Sequence, residues 1–448
     1  MSFSNDFLFG AATAAFQVEG AVSEGGRTMS IWDTEFRTPG RISNGDTADI
    51  ACDHYHRYPE DVALMRDLGL NSYRFSISWS RIFPQMGQYN PEGMQFYKKL
   101  LEELKKSGIC AAVTIYHWDL PQWAQDQGGW LNRACVDWYL DFAKKCFEEL
   151  DGAVALWITH NEPYCASFLG HQIGVFAPNI ATVEKGLIAA HHMLLSHGKA
   201  VRLFRHMGIK GKIGITLNLG YYYPETERFT DKLAVTMSEG YVNRWFLEPL
   251  FHKRYPQEML TLFAARSSTD FGFIKEGDNE CIAAPIDFLG VNFYSSSVIR
   301  YAPTALCLNT SGYSSRKKTS MGWDVDPDAL VKLLKRIREQ DTDLPIYITE
   351  NGSAWEDQIV DGEIHDPDRC EYLLKHLKAV SSANSLGLNV VGYYYWSIMD
   401  NFEWNEGFSK RFGIIHVDYD TLKRTPKDSY YLYQKCIKQI RNSGDIIG

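Results

Sequence analysis

Along the chain, short apolar runs rich in β-branched and aromatic residues alternate with longer segments of helical period. That alternation is the pattern of a parallel sheet whose strands are joined by helices. Eight runs read as strands: Leu8 to Gln17, Ser72 to Ser78, Ala111 to Trp118, Ala155 to Glu162, Ile213 to Asn218, Phe288 to Tyr294, Pro345 to Glu350 and Val390 to Trp396. Between them Tyr58 to Leu68, Pro91 to Lys106, Val136 to Glu149, Val183 to His206, Pro327 to Arg338 and Asp366 to Ser382 read as helices, and Lys427 to Arg441 follows the last strand. In Pro91 to Lys106, Met94, Tyr97, Leu100, Leu101 and Leu104 recur near every 3.6 residues with lysines and glutamates opposite, which predicts a helix on the outside of a barrel. No Pro/Gly/Ser-rich linker, charge block or tandem repeat divides the chain. The expectation is an α/β protein, a single (β/α)8 TIM barrel with extended βα loops, forming one domain over residues 1–448.

Each apolar run carries polar or aromatic residues toward its C-terminal end: Gln17, Arg74, His117 and Trp118, Asn161 and Glu162, Asn218, Asn292 and Tyr294, Glu350, Trp396. In such a barrel those ends meet on one face, so the pattern predicts one pocket. Two segments stand out, LWITHNEP (Leu156 to Pro163) and IYITENG (Ile346 to Gly352), each with a Glu leaving a buried strand. One such Glu is readily explained as a helix cap. Two on different strands suit glycosidic bond cleavage, in which one carboxyl donates a proton while the other stays ionised. Arg74 and Tyr294 are suited to holding one of them as the anion. Gln17, His117, Asn161 and Glu403 are suited to sugar hydroxyls, and Trp396 and Trp404 to the apolar face of a pyranose.

Composition narrows the picture. The 12 Trp, 25 Tyr and 24 Phe are 14% of 448 residues, and 45% hydrophobic with 23% charged residues excludes a disordered or collagenous chain. A net charge of −9 argues against a nucleic-acid partner. No secretory pattern opens the sequence and no run of apolar residues is long enough for a membrane span. Nine scattered cysteines without a CxxC read as reduced thiols of a cytoplasmic protein, neither a disulfide frame nor a zinc site. The sequon Asn351-Gly352-Ser353 abuts Glu350, where a glycan would block the pocket, in keeping with that location. GxGxxG, GxxxxGK[ST] and HExxH are absent, and the adjacent His191 and His192 diverge on a helix, so they read as core or surface residues.

Over essentially its full length the chain resembles family 1 glycoside hydrolases. The resemblance is carried by FLFGAATAAFQVEGA (Phe7 to Ala21), SIWDT (Ser30 to Thr34), YRFSISWSRIFP (Tyr73 to Pro84), YHWDLPQW (Tyr116 to Trp123), NEPYC (Asn161 to Cys165), GVNFY (Gly290 to Tyr294), ITENG (Ile348 to Gly352) and WSIMDNFEWNEGFSKRFGIIHVDY (Trp396 to Tyr419). It implies a β-glucosidase of the bacterial kind acting on small β-glucosides such as cellobiose by anomer-retaining double displacement, without metal or organic cofactor. Glu162 would be the acid/base and Glu350 the nucleophile held by Arg74 and Tyr294. Asn161 would bind the 2-hydroxyl; Gln17, His117, Glu403 and Trp404 the far side of the terminal sugar; Trp396 its floor. Trp323 would flank the aglycone, and Trp118 and Asn292 complete the substrate-contacting set. His160, where an apolar residue is usual, reads as a packing histidine; Tyr164 for Trp and Asn179 for Gly bear on aglycone preference. A 6-phospho-β-glycosidase is the nearest alternative: Lys410 matches the lysine those enzymes use for phosphate, but Glu403 would repel a phosphate and Phe412 lacks a hydroxyl. A non-catalytic sugar-binding barrel is a second. The sequence leaves a homo-oligomer open, as it does the choice among gluco, galacto and fuco sugars.

Overall fold

The computed structural model describes residues 2–267 and 269–446. Eight parallel strands close into a barrel: β1 (Leu8–Ala12), β2 (Ser72–Ser76), β3 (Cys110–Tyr116), β4 (Val154–Asn161), β5 (Lys212–Asn218), β6 (Phe288–Asn292), β7 (Ile346–Asn351) and β8 (Val390–Trp396). Each neighbours the next in sequence, and β1 completes the ring by pairing with β8, Ala12 opposite Trp396. The strands are buried on both faces, which is why they read as continuous apolar runs and not as alternating ones. Helices His54–Leu68, Pro91–Lys106, Cys135–Leu150, Val183–Met207, Pro327–Gln340, Pro367–Ser385 and Asp428–Ser443 surround them, within a few residues of the sequence expectation. Three of these helices begin on Pro91, Pro327 or Pro367, whose fixed φ and missing N–H suit the first turn. Aromatic rings fill the layer between barrel and helices; Trp79 stacks on Phe142 at 5.2 Å with planes 6° apart.

The first strand differs from its expectation. β1 ends at Ala12, and Ala15–Val18 is a single helical turn whose first N–H is taken by Ser76 Oγ at 2.7 Å. Gln17 therefore stands on a helix, not at a strand end. The run Leu8 to Gln17 is apolar throughout, and an apolar run without period does not separate strand from buried helix. His117, Trp118, Glu162 and Tyr294 likewise lie one or two residues beyond β3, β4 and β6.

On either side of β6, between β5 and β7, the chain adds a layer that periodicity did not reveal. Strands Tyr221–Pro224, Ser296–Tyr301 and Asn309–Ser311 form a small sheet, and helices Phe229–Ser238, Trp245–His252 and Gln257–Ser267 precede β6. The cysteines are unpaired. Among the described residues no helix is long and apolar enough to cross a membrane. His191 bonds Tyr255 and Asp278, His192 bonds the Trp130 carbonyl, and both are buried, so they are core residues as expected.

Candidate active site

At the C-terminal ends of the strands a cavity of about 400 Å³ is lined by His117, Trp118, Glu162, Asn292, Tyr294, Trp323, Glu350, Trp396, Glu403 and Trp404. Arg74, Asn161 and Gln17 stand just behind this wall and hold it. Arg74 extends from β2 across the barrel mouth. Its Nε donates to Thr114 Oγ1 (3.1 Å), Nη1 to Glu350 Oε1 (2.6 Å) and the Thr349 carbonyl (3.0 Å), and Nη2 to Asn161 Oδ1 (2.7 Å). One guanidinium thus ties β2, β3, β4 and β7 together. Tyr294 Oη donates to the other oxygen of Glu350.

Asn292 is the link between the two glutamates. Its Nδ2 donates to Glu162 Oε1 at 2.7 Å and to Asn161 Oδ1 at 3.1 Å, while Thr349 Oγ1 donates to its Oδ1 at 2.8 Å. The same amide lies near enough to Glu350 to help lower its pKa. Both carboxyls are buried, and the charge of Glu350 acts directly on Glu162.

Their environments differ. Burial, and then the nearby Glu350 charge, push the Glu162 carboxyl up to about 8, with Asn292 and Cys165 pulling it back. Burial also raises Glu350, but Arg74 and Tyr294 oppose it by direct contact with the carboxylate. Of two coupled acids, the one touching a guanidinium loses its proton first. Glu350 is therefore the carboxyl that ionises first, and Glu162 the one that keeps its proton longer. Such a pair can supply a nucleophile and a proton donor.

Around this pair the aromatic residues form a box. Trp404 stacks on Phe16 at 5.9 Å and packs against Trp32 and Trp118, each at 4.5 Å. Trp32 is set by helix Ile31–Phe36, whose capping box joins Ser30 to Asp33, itself paired with Arg27 at 2.8 Å. His117 lies nearly parallel to Trp396 and Trp404, and burial holds its ring well below the usual histidine range. The neutral ring accepts Asn161 Nδ2 at Nε2 (3.0 Å), which places its proton on Nδ1, a buried donor without a protein partner. Gln17 donates to Asn401 Oδ1, the Phe402 carbonyl and Glu403 Oε2, leaving its own Oε1 unpartnered. Burial and the Glu350 charge push Glu403 up to about 8. Free donors and acceptors beside flat rings are what a sugar needs. Trp118 spends its indole N–H on the Asn161 carbonyl (3.0 Å), so only its ring faces the cavity. Glu162, Trp118 and Trp404 have φ of 45°, 73° and 51°, left-handed backbone that residues with a Cβ seldom adopt and that gathers at functional sites.

On the outer side Trp323 packs on Tyr294 (5.3 Å) and Phe412 (6.1 Å). Phe176, packed on Trp32 and Trp118, and Tyr222 and Met321 also line the cavity, and nothing in the sequence marked them. Thr114, Thr349 and Cys165, which bond Arg74, Asn292 and Glu162, had been given no role, although Thr349 and Cys165 lie inside the ITENG and NEPYC motifs and Thr114 stands two residues before YHWDLPQW. Lys410 does not line the cavity; its Nζ donates to the Ser320 carbonyl at 3.0 Å. With Glu403 largely protonated, charge repulsion of a phosphate is weaker than the sequence suggested, whereas the withdrawn lysine counts against phosphate more strongly. His160 bonds Ser196 at 2.8 Å and stacks on Tyr139 at 4.6 Å, a packing histidine. Away from the cavity, Asp357, Asp400 and His416 approach one another, but Lys427 meets both carboxylates at 2.7 and 2.9 Å, which makes the group an ion-pair network.

The family model of glycosyl hydrolase family 1 matches residues 1–442. Beta-glucosidase A of Acetivibrio thermocellus is 46% identical over 448 residues, covering 98% of each chain. The crystal structure of the GH1 beta-glucosidase from Exiguobacterium antarcticum superposes with a TM-score of 0.97 at 51% identity, covering 99% of this chain and 100% of that one. A family 1 β-glucosidase from Thermotoga maritima in complex with isofagomine lactam does so with a TM-score of 0.93 at 41% identity, covering 97% and 98%. A closed eight-stranded barrel, two unlike glutamates in an aromatic cavity and a match along almost the whole sequence agree: the chain belongs to glycosyl hydrolase family 1.

Proposed function

We propose that the protein is an exo-acting, anomer-retaining β-glucosidase that removes terminal non-reducing β-D-glucosyl residues from cello-oligosaccharides and from aryl or alkyl β-glucosides. The observation that carries this reading is the pair Glu162 and Glu350 at the cavity wall, the first bonded by Asn292 and Cys165 and pushed up to about 8, the second held by Arg74 and Tyr294. Retention needs carboxyls about 5 Å apart, and the direct action of the Glu350 charge on Glu162 supports such a pairing. In the first step Glu350 attacks the anomeric carbon while Glu162 gives its proton to the glycosidic oxygen, and the aglycone leaves. The glycosyl ester removes the Glu350 charge that had held Glu162 protonated. Glu162 then takes a proton from water, water attacks the anomeric carbon, and Glu350 is released.

The free donors and acceptors beside the flat rings support a set of substrate contacts. Asn161 serves the 2-hydroxyl. Gln17, His117 and Glu403 face the distal hydroxyls, Trp396 and Trp404 the sugar's apolar surface, and Trp118 completes the box; Trp323 flanks the aglycone. The unpaired thiols support a reducing, cytoplasmic setting, and the uninterrupted sequence a single catalytic domain. The test is the first product anomer, followed by NMR during cleavage of 4-nitrophenyl β-glucoside; the β-anomer is expected, and the α-anomer would overturn the mechanism. In parallel, Glu162→Ala should lose more activity on cellobiose than on 4-nitrophenyl β-glucoside and regain turnover with azide.

A further inference from the structure

Glu162 has a second hydrogen-bond partner that the double-displacement scheme does not use. Cys165 lies one turn further along the chain, at the start of the wide-turn helix Cys165–Ile173. Its backbone N–H donates to the Glu162 carbonyl at 2.9 Å, which brings the side chain beneath the carboxyl. Sγ then stands 3.2 Å from Glu162 Oε2, while Asn292 holds Oε1 at 2.7 Å. Each oxygen of the acid/base thus has its own donor.

The thiol is buried, and burial keeps its pKa well above the ordinary cysteine range, so it retains its proton and acts as a donor. A protonated thiol is a poor nucleophile and a poor redox sensor, which directs attention to its hydrogen bond. The charged and titratable groups acting on Glu162 are few. Glu350 from β7 and Glu403 from the loop after β8 oppose its ionisation; Arg74 from β2 favours it; Tyr294, beyond β6, is engaged with Glu350. Among the described residues, Asn292 and Cys165 are the ones that hydrogen-bond the carboxyl itself.

We propose that Cys165 is a positioning residue for Glu162, its S–H bond to Oε2 fixing the carboxyl plane and favouring the carboxylate that must deprotonate water in the second half-reaction. The proposal rests on the reading of Glu162 as acid/base. A donor to the carboxylate lowers the pKa of its acid, so its removal raises that pKa. In Cys165→Ala the alkaline limb of kcat/KM on 4-nitrophenyl β-glucoside should move up by about 0.5 pH unit. Cys165→Ser, which restores a donor, should bring the limb back to the wild-type position or below it. An unmoved limb in Cys165→Ala, or an equal upward shift in both variants, would reduce Cys165 to packing. A measurement on the unmodified enzyme guards against misfolded variants: the infrared S–H band should contain a component that changes frequency as pH crosses the titration of Glu162, and a band indifferent to that titration overturns the proposal. If azide fails to rescue Glu162→Ala, the parent reading is at fault; if rescue succeeds and the limb does not move, only the role of Cys165 is.

Discussion

Glu350 and Glu162 have the same side chain and owe their difference to neighbours. Arg74 and Tyr294 touch one; Asn292 and Cys165 touch the other. Glu350→Gln removes the proposed nucleophile while leaving volume and packing, so hydrolysis should fall at least about 10³-fold with unchanged thermal unfolding, as read by initial rates beside a melting curve. The pH profile belongs to this scale as well. Because Glu162 is raised to about 8, its protonated form is lost as pH rises through that value, and kcat/KM should fall there. In Glu162→Gln that limb should vanish from whatever activity remains. The sequence showed which residues carry charge at strand ends. It did not show that Asn292 holds Glu162, because those two side chains are 130 residues apart in the chain and meet only when β4 and β6 take their places in the barrel.

At the scale of elements, the site depends on how closely neighbouring strand ends approach. Gly352, at the end of the TENG motif, packs so tightly that a Cβ would lie 1.8 Å from the Trp396 carbonyl oxygen. Backbone on both sides leaves no flexible group to yield. Gly352→Ala should therefore push β7 from β8, displacing Glu350 and Trp396 together; kcat/KM is expected to drop about 100-fold or more, with a lower thermal midpoint. The helices are more forgiving. In Pro91–Lys106 the buried Leu100 faces the barrel, and Leu100→Ala should cost about 2–4 kcal/mol in a denaturant titration with little change in KM. That helix was legible in the sequence because it has one apolar stripe; the turn Ala15–Val18 was not, because it is buried all round.

The whole molecule bears the consequences of burying three carboxyls in one cavity. Glu162 and Glu403 both have folded pKa values near 8, raised from 4.5, so the folded state binds more protons than the unfolded chain between those values. Stability should therefore decline as pH rises from about 4.5 to about 8 and level off above it. Glu403→Gln, which removes one of these ionisations, should stabilise the protein by roughly 1–3 kcal/mol more at pH 8 than at pH 5, measured by thermal unfolding at the two values. With no paired cysteine among the described residues, a reductant should leave the melting curve unchanged. From the sequence alone came the eight-stranded barrel, seven surrounding helices and two glutamates on its C-terminal face, because periodicity and strand-end polarity are local properties of the chain. The added layer between β5 and β7, the aromatic box of Trp32, Trp118 and Trp404, and the order in which Glu162 and Glu350 lose their protons were decided by tertiary structure. Those features depend on burial and on contacts between distant segments, and a carboxyl's protonation follows the dielectric and the charges around it, which exist only once the barrel has closed.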